Sequence, residues 1–116
     1  FANPSVTASA CLFFITNPCF EFWLLLHLSD VKEEYCNQLC EMLENKKISN
    51  RHTFVSSKVS EKATHTKNIP QNKFKQFYLP NIDLAIERAK GFSQDEDELM
   101  NNLGSNIPKL FAILRE

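Results

Sequence analysis

Glycine is almost missing from this chain, which has only Gly91 and Gly104 among its 116 residues. A glycine-rich loop that cradles phosphates is therefore excluded. A long apolar run is missing too. No stretch reaches the roughly 18 residues a membrane span needs, and the most apolar segment is interrupted by Glu21 and His27. Charge of one sign does not dominate: 13 basic and 14 acidic side chains leave a net charge of −1. That balance excludes a wholly basic nucleic-acid binder and an acidic tail. The opening FANPSVTASACLFF lacks a basic start, so it makes a poor secretion signal. It begins on Phe rather than Met, which points to a fragment or a processed chain. No internal repeat is present, and the length suits a single domain over residues 1–116.

What the chain does have is a dense apolar segment, Thr16-Asn17-Pro18-Cys19-Phe20-Glu21-Phe22-Trp23-Leu24-Leu25-Leu26-His27-Leu28. Asn17 is a suitable N-cap and Pro18 a suitable first helical residue, which predicts a helix over Pro18–Leu28. Helical periodicity puts Phe20, Trp23, Leu24 and His27 on one face and Glu21, Leu25 and Leu28 on another. A helix apolar nearly all round is a buried helix. Glu21 is then a desolvated carboxylate that needs a cation, a metal ion or a proton as partner. Lys67, Arg88 or a helix N-terminus are the candidates for a purely structural pairing. His27 has two readings: it contacts phosphate or orients Glu21, or it closes the helix by bonding a backbone carbonyl. Trp23 reads as core.

Ala10–Ile15 is short and continuously apolar and predicts a buried strand, feeding through a tight turn into the helix. A second helix is expected over about residues 30–45, with acids at its start and Lys46-Lys47 at its end. Residues 46–76 then change character. Lys46, Lys47, Arg51, Lys58, Lys62, Lys67, Lys73 and Lys75 face a single acid, Glu61, a surplus of seven positive charges. This reads as a basic, partly mobile insertion with a short helix near 71–78. It either tracks a nucleic-acid backbone or balances the acidic run Asp95-Glu96-Asp97-Glu98. Pro80-Asn81 breaks the chain, Ile82–Phe92 is an amphipathic helix, and the acidic run starts another. Ile107–Leu114 closes the chain with Leu110, Phe111 and Leu114 facing inward. The overall expectation is an α/β fold, mostly α-helical, with one or two short strands and four to five helices.

Four cysteines, Cys11, Cys19, Cys36 and Cys40, read as reduced and mostly buried thiols of a cytoplasmic protein. A zinc site using Cys36, Cys40 and His52 is an alternative, although the cysteine spacing is not that of a zinc knuckle.

The string TNPCFEFWLLLHL closely resembles the SNPxFExWLLLHF signature of RloB-like proteins, a bacterial family with a Toprim-type nuclease core. Their genes often lie beside an ABC-type ATPase in restriction and phage-defence loci. Further along, His65-Thr66-Lys67-Asn68 resembles the family's Tyr-x-Lys-Asn segment, with His65 in place of the tyrosine. The helix from Leu79 to Lys90 and the stretch Gly104-Ser105-Asn106-Ile107-Pro108-Lys109-Leu110 are similar to two later family elements, in order. The resemblance implies phosphodiester hydrolysis with Mg²⁺, Glu21 as catalytic group or metal ligand, and Lys67 as a phosphate contact. Arg51, Lys58, Lys62 and His27 join Lys67 as candidates for nucleic-acid binding. Nucleic acid, DNA or RNA, and an ABC-type ATPase are the implied partners, with a homodimer possible and no membrane.

Toprim nucleases hold Mg²⁺ with an early glutamate and an Asp-x-Asp pair, and in the family both precede the FExW motif. Too little chain precedes it here to carry them, and the Asp95-Glu96-Asp97 triplet follows a helix instead of ending a buried strand. The chain thus resembles the C-terminal part of a Toprim-like domain, not active alone and with no metal expected in the fragment. The alternative is a non-catalytic module that docks an ATPase or forms a dimer, favoured by ten phenylalanines in so short a chain.

Overall fold

The computed structural model describes residues 14–65 and 68–115. Two strands frame it. Thr16–Asn17 (β1) pairs antiparallel with Gly104–Ser105 (β2), Thr16 opposite Ser105 and Asn17 opposite Gly104. The Thr16 and Ser105 hydroxyls also share a hydrogen bond of 2.9 Å. Of the strand expected at Ala10–Ile15, the first four residues lie outside the described ones, and Phe14 and Ile15 are not in a strand. Ile15 instead bonds Asn106 through both backbone groups: Ile15 N–H donates to Asn106 Oδ1 at 2.6 Å and Asn106 N–H to the Ile15 carbonyl. Among the described residues this antiparallel pair is the whole sheet, and an isolated parallel bridge joins Ser93 to Gly104.

The apolar segment forms α1, Phe20–Leu28, with Cys19 at its N-cap. Asn17 does not cap it. Its side chain donates to the Leu99 carbonyl at 2.7 Å, and Pro18 stands in the connecting turn, where the Asn17–Pro18 bond is cis. Phe22, Leu25 and Leu26 are fully enclosed, and Trp23, Leu24 and His27 nearly so. The helix is nevertheless not apolar all round, because Phe20 is exposed and Glu21 half-buried. Its main packing partners are α4 (Phe54–Ala63) and α6 (Ile82–Ala89).

The single helix expected over 30–45 is two, α2 (Val31–Glu34) and α3 (Leu39–Glu44). Tyr35, Cys36 and Asn37 are all indifferent helix formers. At this break Gln38 N–H turns back onto the Tyr35 carbonyl at 2.8 Å while the Tyr35 ring enters the core. Asn45 ends α3 in the left-handed region (φ 51°), a conformation asparagine tolerates better than most residues. Its side chain accepts from Val55 N–H at 2.9 Å and donates to Cys19 Sγ at 3.5 Å, tying three helix ends together.

The basic segment contributes a helix to the core. Within it α4 places Val55, Val59 and Ala63, four residues apart, on the buried face against α1. Thr53 and Ser56 form a capping box, each side chain bonding the other's backbone N–H. Farther on, α5 (Gln71–Lys73) continues through a π-helical stretch Phe74–Tyr78 and a 3-10 turn Leu79–Asn81 into α6. The widened and then tightened turns accommodate Pro80, so the break expected there is a change of helix type. Glu96–Leu99 is α7 and Ile107–Leu114 is α8. Phe111 packs on Trp23 with ring centres 6.1 Å apart, whereas Leu114, expected inward, is 69 % exposed at the helix end. The result is a mostly helical α/β fold. No helix among the described residues is long and apolar enough to cross a membrane.

Candidate functional site

A cavity of about 480 Å³ opens where the start of α1 meets α4. Helix α1 contributes Phe20, Glu21 and Leu24, and α4 contributes Ser56 and Val59. The turn before α4 adds Asn50, Arg51 and His52, and the chain beyond α4 adds His65 and Ile69. Leu24, Val59 and Ile69 give the cavity apolar walls, and its polar groups are a carboxylate, a guanidinium, two imidazoles, an amide and a hydroxyl. The turn Ser49-Asn50-Arg51-His52 is shaped locally: the Ser49 hydroxyl accepts from the backbone N–H of Arg51 and His52 at 3.3 and 3.1 Å. The His52 ring then shares a hydrogen bond of 3.2 Å between Nδ1 and Ser56 Oγ. His65 is buried and bonds the Tyr78 hydroxyl through Nε2. Burial pushes that phenol up to about 12, so it remains protonated and able to donate at any physiological pH.

Glu21 is therefore not a carboxylate sealed in the core. It reaches the cavity and forms no ion pair within 4.0 Å among the described residues. The Cys19 thiol beside it is pushed up to about 11, first by burial and then by the Glu21 charge, which leaves that sulfur protonated and unreactive. Arg88, a sequence candidate for pairing with Glu21, donates instead from Nη1 to the Leu26 carbonyl at 2.9 Å. Lys67, the other candidate, lies outside the described residues.

Of the remaining basic candidates only Arg51 joins Glu21 at the cavity. Lys62 donates to Glu34 at 2.7 Å, and Glu34 also accepts from the Ser29 hydroxyl at 2.5 Å. These two bonds, the Lys62 one foremost, hold the Glu34 carboxyl below its ordinary value. Lys58 lies over the Phe54 ring at 5.0 Å and the Tyr35 ring at 6.0 Å, with Glu61 at 3.8 Å. Both lysines thus meet Tyr35, which follows α2, and neither lines the cavity.

His27 lies in the core, 4 % exposed, between Trp23 and Tyr78. Its Nδ1–H donates to the Trp23 carbonyl at 2.9 Å, so of its two sequence readings the structure gives the carbonyl bond and leaves the ring no face for a phosphate. Burial, with a smaller effect from the Arg88 charge, lowers its pKa below 6.5. The unfolded chain then takes up a proton at a higher pH than the native one. Stability is full above the unfolded value and declines as pH falls from about 6.5 toward the depressed native value. Urea unfolding a unit above and a unit below 6.5 should show this loss, and His27→Gln should flatten it. An equal slope in both proteins would remove His27 as its source.

The zinc alternative is not supported. Cys36 and Cys40 are exposed and unpaired, correcting the expectation of mostly buried thiols. Cys40 borders a separate hollow with Asn17 and Met100, while His52 faces the main cavity. No group of three or more metal-ligating side chains occurs among the described residues. Cys11 lies outside them.

Sequence reasoning found Glu21 and Arg51 but not Phe20, Asn50, Ser56 or His65 as partners in one cavity. The signal that was available is the Thr53-x-x-Ser56 helix start, which fixes where the preceding turn must point.

Fold and cavity together define a class: a small, mostly helical α/β protein in which a largely buried helix presents an acid to a basic turn. A family model described as RloB-like protein matches residues 4–114. The chain belongs to the RloB-like family. Comparison with curated proteins and with solved structures gave no match.

Proposed function

We propose that this chain is part of a metal-dependent nuclease of Toprim type that hydrolyses phosphodiesters. The observation that carries this reading is the meeting of Glu21 with Arg51 and His52 around one open cavity. Arg51 supplies a planar fork suited to two phosphate oxygens. His52, linked to Ser56, offers a hydrogen bond or a proton at the same rim. Glu21, half-buried at the cavity and in no ion pair among the described residues, has the oxygen chemistry that Mg²⁺ accepts. That ion is commonly bound by one or two carboxylates together with water and substrate phosphates. No other carboxylate among the described residues lines the cavity, so Glu21 would be one ligand and not the whole site. When bound, Mg²⁺ neutralises charge on the phosphodiester. Of the chain's own residues, Arg51 would hold the phosphate and Glu21 would face the ion.

The family resemblance extends the proposal to a DNA or RNA substrate, a cytoplasmic setting, and an ABC-type ATPase that restrains or triggers cutting in phage defence. Glu21→Gln in the intact protein is expected to lower Mg²⁺-dependent hydrolysis of nucleic acid by about 100-fold or more. Unchanged activity and metal dependence would take Glu21 out of the chemistry and favour a non-catalytic docking module.

A further inference from the structure

Phe20 is the anomaly of the cavity. The segment that follows it is enclosed, yet this ring is 54 % exposed at the cavity wall. An aromatic left in water beside an arginine and an asparagine, above apolar walls, is the arrangement in which an unpaired base gains most. One face stacks on the ring, its edge meets an amide, and its phosphate meets the guanidinium. We propose that the cavity holds one unpaired nucleobase of a single-stranded nucleic acid, stacked on Phe20, with the adjoining phosphate on Arg51 and the base edge toward Asn50.

Size supports this occupant. A volume of about 480 Å³ lies in the ordinary range for enclosing one small ligand, and a base within a duplex has both faces covered and cannot enter without leaving its stack. Charge supports it as well. Lys58 and Lys62 are engaged with aromatic rings and Glu34, so among the described residues Arg51 is the one lysine or arginine lining the cavity. Glu21, on the α1 wall, repels a phosphate and leaves the Arg51 side as the favourable place for it.

The inference names the substrate form for the nuclease reading and rests on it for the presence of nucleic acid. Binding is therefore measured apart from cutting, by fluorescence anisotropy of the intact protein in chelator. The probes are short labelled DNA and RNA strands, free of self-pairing, and duplexes of the same sequences. Single strands are expected to bind about tenfold tighter than duplexes, and the stronger of the DNA and RNA arms identifies the source. Phe20→Leu, which keeps the apolar bulk and removes the ring, is expected to weaken single-strand binding about tenfold while duplex binding stays unchanged. Phe20→Tyr should restore it. Equal affinity for both forms, no binding to either, or no effect of Phe20→Leu would overturn the proposal. Retained single-strand preference in a protein that cuts nothing with Mg²⁺ would uphold it and sink the nuclease reading alone.

Discussion

Phe22→Ala is expected to remove about 3–5 kcal/mol of unfolding free energy, read as a lower urea midpoint of the intact protein with little change in slope. Phe22 is fully enclosed and meets the Phe92 ring edge-on, with centres 5.2 Å apart. Truncation loses the transfer free energy of the ring, the aromatic contact and the contacts across the void left behind. The site can collapse only a little, because its neighbours Leu25 and Leu26 are themselves fully buried on the same helix. A loss that is a large part of a typical domain's whole stability would make this variant partly unfolded at moderate temperature. A midpoint within error of the parent would show that α1 is not the centre of the core.

Gly104→Ala should be nearly as damaging, for a different reason. A Cβ at Gly104 would lie 1.9 Å from the Ser93 carbonyl oxygen and 2.7 Å from its carbon. The obstacle is backbone, so no side chain can swing aside. Ser93 is also held in place, donating to the Leu103 carbonyl at 3.1 Å and accepting from Ser105 N–H at 3.0 Å. Relieving the clash means breaking these bonds or opening β1 from β2, and a loss of about 3 kcal/mol follows from overpacking of this kind. Thermal unfolding with far-ultraviolet circular dichroism would measure it. Tolerance of alanine here would mean that the close approach of the Ser93 and Gly104 segments is not required by the fold.

Much of the architecture is legible in particular residues. Pro108 at the start of α8 and the apolar spacing after it set that helix at Ile107–Leu114, as the structure has it. The run Phe22–Leu26 has nowhere to go but the interior, and Ala85 and Ala89 mark the packed face of α6. The basic segment is where sequence reading fails. Val55, Val59 and Ala63 carry a helical stripe, but lysines, serines and threonines between them give the composition of a loop. Burial by α1, not intrinsic preference, decides the outcome. On the same helix Lys58 and Lys62 meet Tyr35 and do not line the cavity, so charge counted along the chain does not add up at one place in space. Half of the candidate site was visible for a related reason. Glu21 and Arg51 stand out by type, whereas Phe20 and His65 become partners only once α1 and α4 are side by side. Desolvation of Glu21 failed as an expectation because the helix tip, unlike its middle, opens onto a cavity.

The β1–β2 clasp also bears on how the protein is made. Thr16 and Ser105, which share both the strand pairing and a hydroxyl bond, are 89 positions apart. On a ribosome the apolar helix α1 emerges before α4, α6 and Ser105 and must wait for all three before its strand can close. Such non-local closure is slow and leaves apolar surface uncovered during synthesis. A premature stop between α1 and α4 therefore does more than shorten the product. It releases a chain whose apolar helix has lost its cover, which makes such products natural targets for chaperones and proteases.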